Sequence, residues 1–264
     1  MIPEFALRLI VGLSLLWCLL PRRQITSGFF RIQMLLTLGL SVLTTLTAGH
    51  WFEGTGRSAG HELVPPDGIR LRIELGVLAL ISFAGSVMWT LERRRAGTLL
   101  ATLLLVASSC VLLQVSAAPA TGSLARWPGF PAALASGAVI GGLVGAMLLG
   151  HWYLTATGMP LAPLQRATRL ALLAIIIRLI GVVLLTYLAE PEARTALWHE
   201  HRVWLLLRWT AGLLGPLLLV GITPAILRYR NTQSATGVLF AAVILVFIGE
   251  SAALLIAREL GQPM

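Results

Sequence analysis

The sequence predicts an all-α fold, a polytopic membrane protein with about eight transmembrane helices in one bundle and both termini on the outer side. Three observations carry that expectation: an apolar excess that water does not tolerate, eight apolar runs of spanning length, and arginines gathered in the short joints after alternate runs. Of 264 residues, 57% are hydrophobic and 12% charged, and the mean hydropathy is +0.85. A water-soluble domain with that balance would aggregate. One integral membrane domain, residues 1–264, is expected.

A spanning helix needs roughly 20 mainly apolar residues to cross about 30 Å of hydrocarbon. The runs at about 5–20, 30–50, 72–91, 97–117, 132–155, 168–189, 203–225 and 235–258 meet that length. Helices are the expected form, because lipid leaves no partner for unpaired backbone groups and the alternating ten-residue segments of a barrel are absent. The first run has no Lys or Arg before it in Met1 to Glu4, and Arg22 and Arg23 follow it. That order is the reverse of a secretory signal and predicts a retained span. The breaks are polar or rich in Pro and Gly, as at Pro65-Pro66-Asp67-Gly68, Pro128-Gly129-Phe130-Pro131 and Glu190-Pro191-Glu192, which marks loops. In the fifth run Gly137, Gly141 and Gly145 form one row and Gly142, Ala146 and Gly150 a neighbouring one. Small residues four apart let helix backbones approach closely, so this helix is expected at the centre. Pro216 and Pro224 are expected to bend the seventh helix.

The formal charge of +9 comes from twenty Arg and no Lys. Ten of them (22, 23, 31, 93, 94, 95, 166, 169, 228, 230) fall beside the joints after runs one, three, five and seven. Eight more (8, 57, 70, 72, 126, 194, 202, 258) are assigned to the other side, in longer segments that also hold most of the acids. The denser short joints are therefore placed in the cytoplasm, and the basic balance is an orientation signal, not a nucleic-acid surface. The eight Trp (17, 51, 89, 127, 152, 198, 204, 209) lie near run ends or in loops, as an aromatic belt would put them. Cys18 and Cys110 fall within apolar runs, where a thiol acts as a small hydrophobe. No disulfide framework or cysteine zinc site is expected.

Charges inside a bilayer cost about 2.5–3.5 kcal/mol each on insertion scales and usually face a partner or a watery pocket. Arg178 falls at the middle of run six. At a rise of about 1.5 Å per residue, Glu250 lies roughly 5 Å and Arg208 roughly 9 Å to the outer side of centre, with Glu74 near the depth of Arg208. These four are expected to form one buried network, with Glu250 paired to Arg178 or Arg208. Its role is either a clamp that fixes helix order or part of a quinone, proton or ion pathway.

Gly49-His50-Trp51-Phe52 at the end of run two is echoed by Gly150-His151-Trp152-Tyr153 at the end of run five, a trace of a three-helix duplication or a coincidence. His50 and His151 lie near opposite faces, so they do not ligate one haem together, and haem b is not expected. Each imidazole is read either as a helix cap or, for His50, as a hydrogen-bond partner of a quinone carbonyl near the outer face. His199-Glu200-His201, with His61, Glu53 and Glu62, invites a metal reading, but adjacent i, i+2 imidazoles do not share a helix face and no zinc-motif spacing is present. No metal ligand is assigned. No Gly-rich nucleotide loop, nucleophile elbow, Cys cluster or intramembrane carboxylate pair is found.

Eight helices, outward termini, short loops and buried charges biased to the outer half look like the membrane-anchor subunits of the polysulfide-reductase and DMSO-reductase type. The resemblance covers topology along the whole chain and rests on no diagnostic motif. It implies a non-catalytic subunit of the bacterial inner membrane that docks an extracytoplasmic redox subunit and exchanges electrons with the quinone pool. Its quinone pocket would draw on His50, Glu74, Arg178, Arg208 and Glu250. Two other readings stand beside it: a secondary transporter or ion-conducting protein using Glu250 with Arg178 or Arg208, and a structural subunit of a larger membrane complex. No segment between runs exceeds about twenty residues, so soluble chemistry would have to come from a partner.

Overall fold

The computed structural model describes residues 1–48, 68–116, 129–156, 158–188 and 201–260. Eight of its helices are long and apolar enough to cross a bilayer. They are α1 (Ile2–Leu19), α2 (Ser27–Thr47), α3 (Gly68–Thr90), α4 (Arg94–Ser116), α5 (Gly129–Thr155), α6 (Ala162–Leu188), α7 (His201–Arg228) and α8 (Thr232–Leu260). Among the described residues there is no strand. The protein is a multi-pass, all-helical membrane protein.

Helix ends depart from the expected ones where charge meets the interface. α6 begins at Ala162, six residues before the expected start at 168. Arg166 and Arg169 lower the hydropathy of its first turns without breaking the helix, since long arginines reach out to headgroups from a helical backbone. α2 begins at Ser27, after Ile25 ends the 3-10 turn of Arg22–Gln24 in extended backbone and Thr26 takes the N-cap position of the new helix, and it closes at Thr47. The joint between α1 and α2 is held by Arg22, whose Nε donates to the Trp17 carbonyl at 2.9 Å.

The helices pack as two rings of four. In the first, α1 touches α2, α2 touches α3, α3 touches α4 and α4 returns to α1; in the second, α5, α6, α7 and α8 close in the same order. The rings join mainly through α1 against α5, with α4 adding a lighter contact to α5. The Gly-His-Trp echo suggested a period of three helices, but the contacts group by four. α2 and α5 occupy different positions in their rings.

The small residues of α5 explain the junction. A methyl group on Gly12 would overlap the Gly137 carbonyl oxygen, and one on Gly141 would overlap the backbone of Gly12. The neighbouring row serves the second ring, with Gly142 facing Ala171 of α6 and Gly150 facing Thr236 of α8. α5 therefore sits at the centre, as its glycine spacing predicts, since close backbone approach maximises dispersion contact where lipid supplies no hydrophobic drive.

The tryptophans divide. Trp17 and Trp89 are fully buried, and Trp89 stacks on Phe30 with ring centroids 4.5 Å apart while covering Gly97. These two are packing residues and not members of a headgroup belt, because their ring faces are taken up by neighbouring helices. Trp152 packs edge-on to Phe29 and donates to Thr26 Oγ1 at 2.8 Å. Trp204 is exposed. Trp51, Trp127 and Trp198 lie outside the described residues.

Candidate functional site

Four helices bring side chains to Glu250 of α8, in the half of the bundle nearer Glu4. Ser136, two turns into α5, donates to Glu250 Oε2 at 2.6 Å. Arg8, two turns into α1, donates to the same hydroxyl at 3.2 Å and lies 3.9 Å from Glu250 Oε2. From α6, Arg178 Nε stands 3.5 Å from Glu250 Oε1, and its Nη1 donates to the Ala132 carbonyl at 3.2 Å. From α7, Arg208 is buried within electrostatic reach of Arg178, Glu250 and Arg8. Arg8 also donates to Glu4 one turn earlier on its own helix.

Hydroxyl chemistry fits this order. Ser136 has one proton, given to the carboxylate, and lone pairs that accept from Arg8. Glu250 and Arg178 are each 3% exposed, so charge-assisted hydrogen bonds replace the lost water. Among the described residues the group comprises three guanidiniums and two carboxylates. Polar atoms lead from Glu4, whose side chain is 30% exposed, through Arg8 and Ser136 to Glu250. Arg8 Nε is buried with no hydrogen-bond partner among the described residues.

The backbone of α7 is altered beside this cluster. Thr210–Leu214 is a π turn closed by the Gly215 N–H on the Thr210 carbonyl. Pro216 has no N–H to give and its ring would press on the Gly212 carbonyl in a regular helix; the wider turn moves that carbonyl aside. Pro216 was expected to bend the helix, and this turn is how α7 accommodates it. Pro224, in contrast, lies inside the continuous helix Gly215–Arg228. The π turn sets Gly212 directly against Gly249, where a methyl on either would meet backbone. Gly249 precedes Glu250, so the contact fixes the carboxylate's entry into the cluster.

The structure brings together Glu250, Arg178 and Arg208 and leaves Glu74 apart. Glu74 sits on α3 in the first ring, accepts from Arg70 at 3.0 Å and is approached by Gln114 Nε2 at 3.5 Å. Equal depth put it level with Arg208, but α3 packs on α2 and α4. His50 lies outside the described residues, as do His61, His199, Glu200, Glu53 and Glu62. His151 is exposed at the end of α5, while Tyr153 turns inward and donates to the Pro160 carbonyl.

Arg8, Ser136 and Glu4 were missed. Arg8 was counted as a residue of the outer segments, yet it is buried and belongs to the cluster, because α1 is enclosed between α2, α4 and α5. Its signal was Glu4 four residues earlier, an acid and a base one turn apart entering an apolar run. Ser136 carries no such signal, since a serine in a spanning helix usually bonds its own backbone.

No protein-family model, characterised protein or solved structure matches this chain.

Proposed function

We propose that the chain is a non-catalytic membrane subunit of an electron-transfer complex in a bacterial inner membrane, exchanging electrons with the quinone pool at the half of the bundle that holds Glu250. One observation supports the reading above others: Arg8, Arg178 and Arg208 stand around the deeply buried Glu250 carboxylate, and one guanidinium donor, Arg8 Nε, has no hydrogen-bond partner among the described residues. A carbonyl oxygen is the acceptor such a donor fits. A quinone would supply two-electron, two-proton chemistry there. The chain's own part is narrower. Arg8 orients the carbonyl, Arg178 and Arg208 hold negative charge nearby, and Glu250 is the counter-ion that keeps these guanidiniums in place. Short joints between helices make a partner the carrier of the soluble redox centre, docked at the Glu4 end, which this reading takes as the outer face.

Gentle purification from the native membrane, with a reduced-minus-oxidised spectrum and mass spectrometry of co-purifying chains and quinones, tests this directly. Bound quinone together with soluble redox subunits is expected. A chain that purifies alone and without quinone overturns the proposal. The π turn beside Arg208 would then favour the second reading, secondary transport with α7 as the moving element, which ion flux into liposomes measures.

A further inference from the structure

At the opposite end of the second ring, a cavity of about 220 Å³ lies between the first turns of α6 and the last turns of α7. Gln165, Thr168 and Arg169 line it from α6, and Pro224, Leu227 and Arg228 from α7. At about 30 Å³ of liquid volume per water it holds roughly seven waters, room for a phosphate group with part of its hydration. Thr168 spends its proton on the Leu164 carbonyl at 2.9 Å. The donors left to a ligand are therefore the Gln165 amide and the two guanidiniums. Neither Arg169 nor Arg228 has an acidic partner among the described residues. Across the four joints at this end of the bundle, Glu92 is the one acidic residue, against ten arginines in or beside them.

We propose that this cavity binds the phosphate of an anionic phospholipid from the adjoining leaflet. Planar guanidiniums match phosphate oxygens in pairs, and basic pockets between helices at a membrane face suit acidic headgroups. The apolar surface above the cavity argues for a lipid over a free ion. Leu173, one turn deeper than Arg169 on the same face of α6, is exposed. On α7, two turns deeper than Arg228, Gly221 leaves open space, and the exposed Leu218 follows it. An acyl chain descending from a phosphate held by Arg169 and Arg228 would lie along that track.

The test titrates the purified, delipidated chain with phosphatidylglycerol, phosphatidylcholine or inorganic phosphate, reading the thermal midpoint. R169Q/R228Q is compared with R93Q/R95Q, which removes two exposed charges from the same end outside the cavity. Phosphatidylglycerol is expected to stabilise wild type and R93Q/R95Q alike, and to bind R169Q/R228Q about tenfold more weakly or worse. Equal weakening in both variants would mean diffuse surface attraction and overturn the site. An equal response to inorganic phosphate would overturn the lipid as its source. Should R169Q/R228Q fail to fold, native mass spectrometry of wild type in mixed lipid decides: preferential retention of phosphatidylglycerol supports the site, and equal retention of phosphatidylcholine overturns it.

Discussion

The two four-helix rings share an order of packing and differ in what they bury. In the first ring the buried polar groups are mostly hydroxyls that bond the preceding turn of their own helix, as Ser41 does to Thr37 and Thr44 to Leu40. Across helices the buried pair is neutral, Thr37 Oγ1 with Ser82 Oγ at 3.2 Å, and the Glu74 carboxylate, half-buried, is approached by Gln114 at 3.5 Å. The rest is aromatic and aliphatic packing around Phe29, Phe30 and Trp89. In the second ring, ionised groups satisfy one another across helices, and Arg8 of α1 reaches over to join them. The difference teaches that one ring is specified by shape and the other by charge. Shape tolerates the loss of a polar pair, whereas a buried charge without its partner does not.

Removing the charge at the centre should therefore break the second ring first. Glu250→Leu takes the central carboxylate away from Arg178 and leaves Arg8 with Glu4, and is expected to cost about 3–5 kcal/mol, read as a collapse of folded yield in detergent. Arg178→Leu added to Glu250→Leu should recover much of that loss if the cluster acts as a clamp. Recovered folding with electron transfer still absent would place the pair in the functional site. No recovery would show that Arg8 and Arg208 also depend on Glu250.

The junction between rings gives a smaller effect. Gly12→Ala forces α1 away from α5 and is expected to destabilise by about 1–3 kcal/mol. Gly39→Ala, where nothing stands within 4 Å of the added methyl, should instead stabilise α2 by about 0.5–1 kcal/mol. Thermal midpoints of the two variants should move in opposite directions. Movement the same way would mean that glycine acts through chain flexibility and not through close contact.

The smallest effect belongs to the first ring. Thr37→Val removes the hydroxyl pair with Ser82, and interhelical hydrogen bonds in membranes average about 0.6 kcal/mol. A shift in thermal midpoint as large as that of Glu250→Leu would erase the contrast between the rings.

Parts of the architecture were legible locally. The Gly137, Gly141 and Gly145 row announced a central helix because its spacing is itself the contact surface. Glu250 was legible as the partner of Arg178 or Arg208, since opposite charges at similar depth in lipid have strong reason to meet, and Arg178 stands 3.5 Å from it. Glu74 shows where that argument stops. Depth along the membrane normal is written in residue count, but the side of the bundle on which a helix stands is not. Arg8 shows the converse, a residue counted among the outer segments, yet buried and enclosed by three neighbouring helices.

The sequence by itself determined that this chain carries eight runs long and apolar enough to span a bilayer and roughly where each lies, because hydrocarbon imposes length and polarity on every segment independently of its neighbours. Only the tertiary structure decided that the spans close in rings of four, that α7 takes a π turn at Pro216, and that Arg8 and Ser136 complete the surroundings of Glu250. Those outcomes depend on which helix faces stand side by side. That choice is made by packing between segments distant in the chain, where no local run of residues records it.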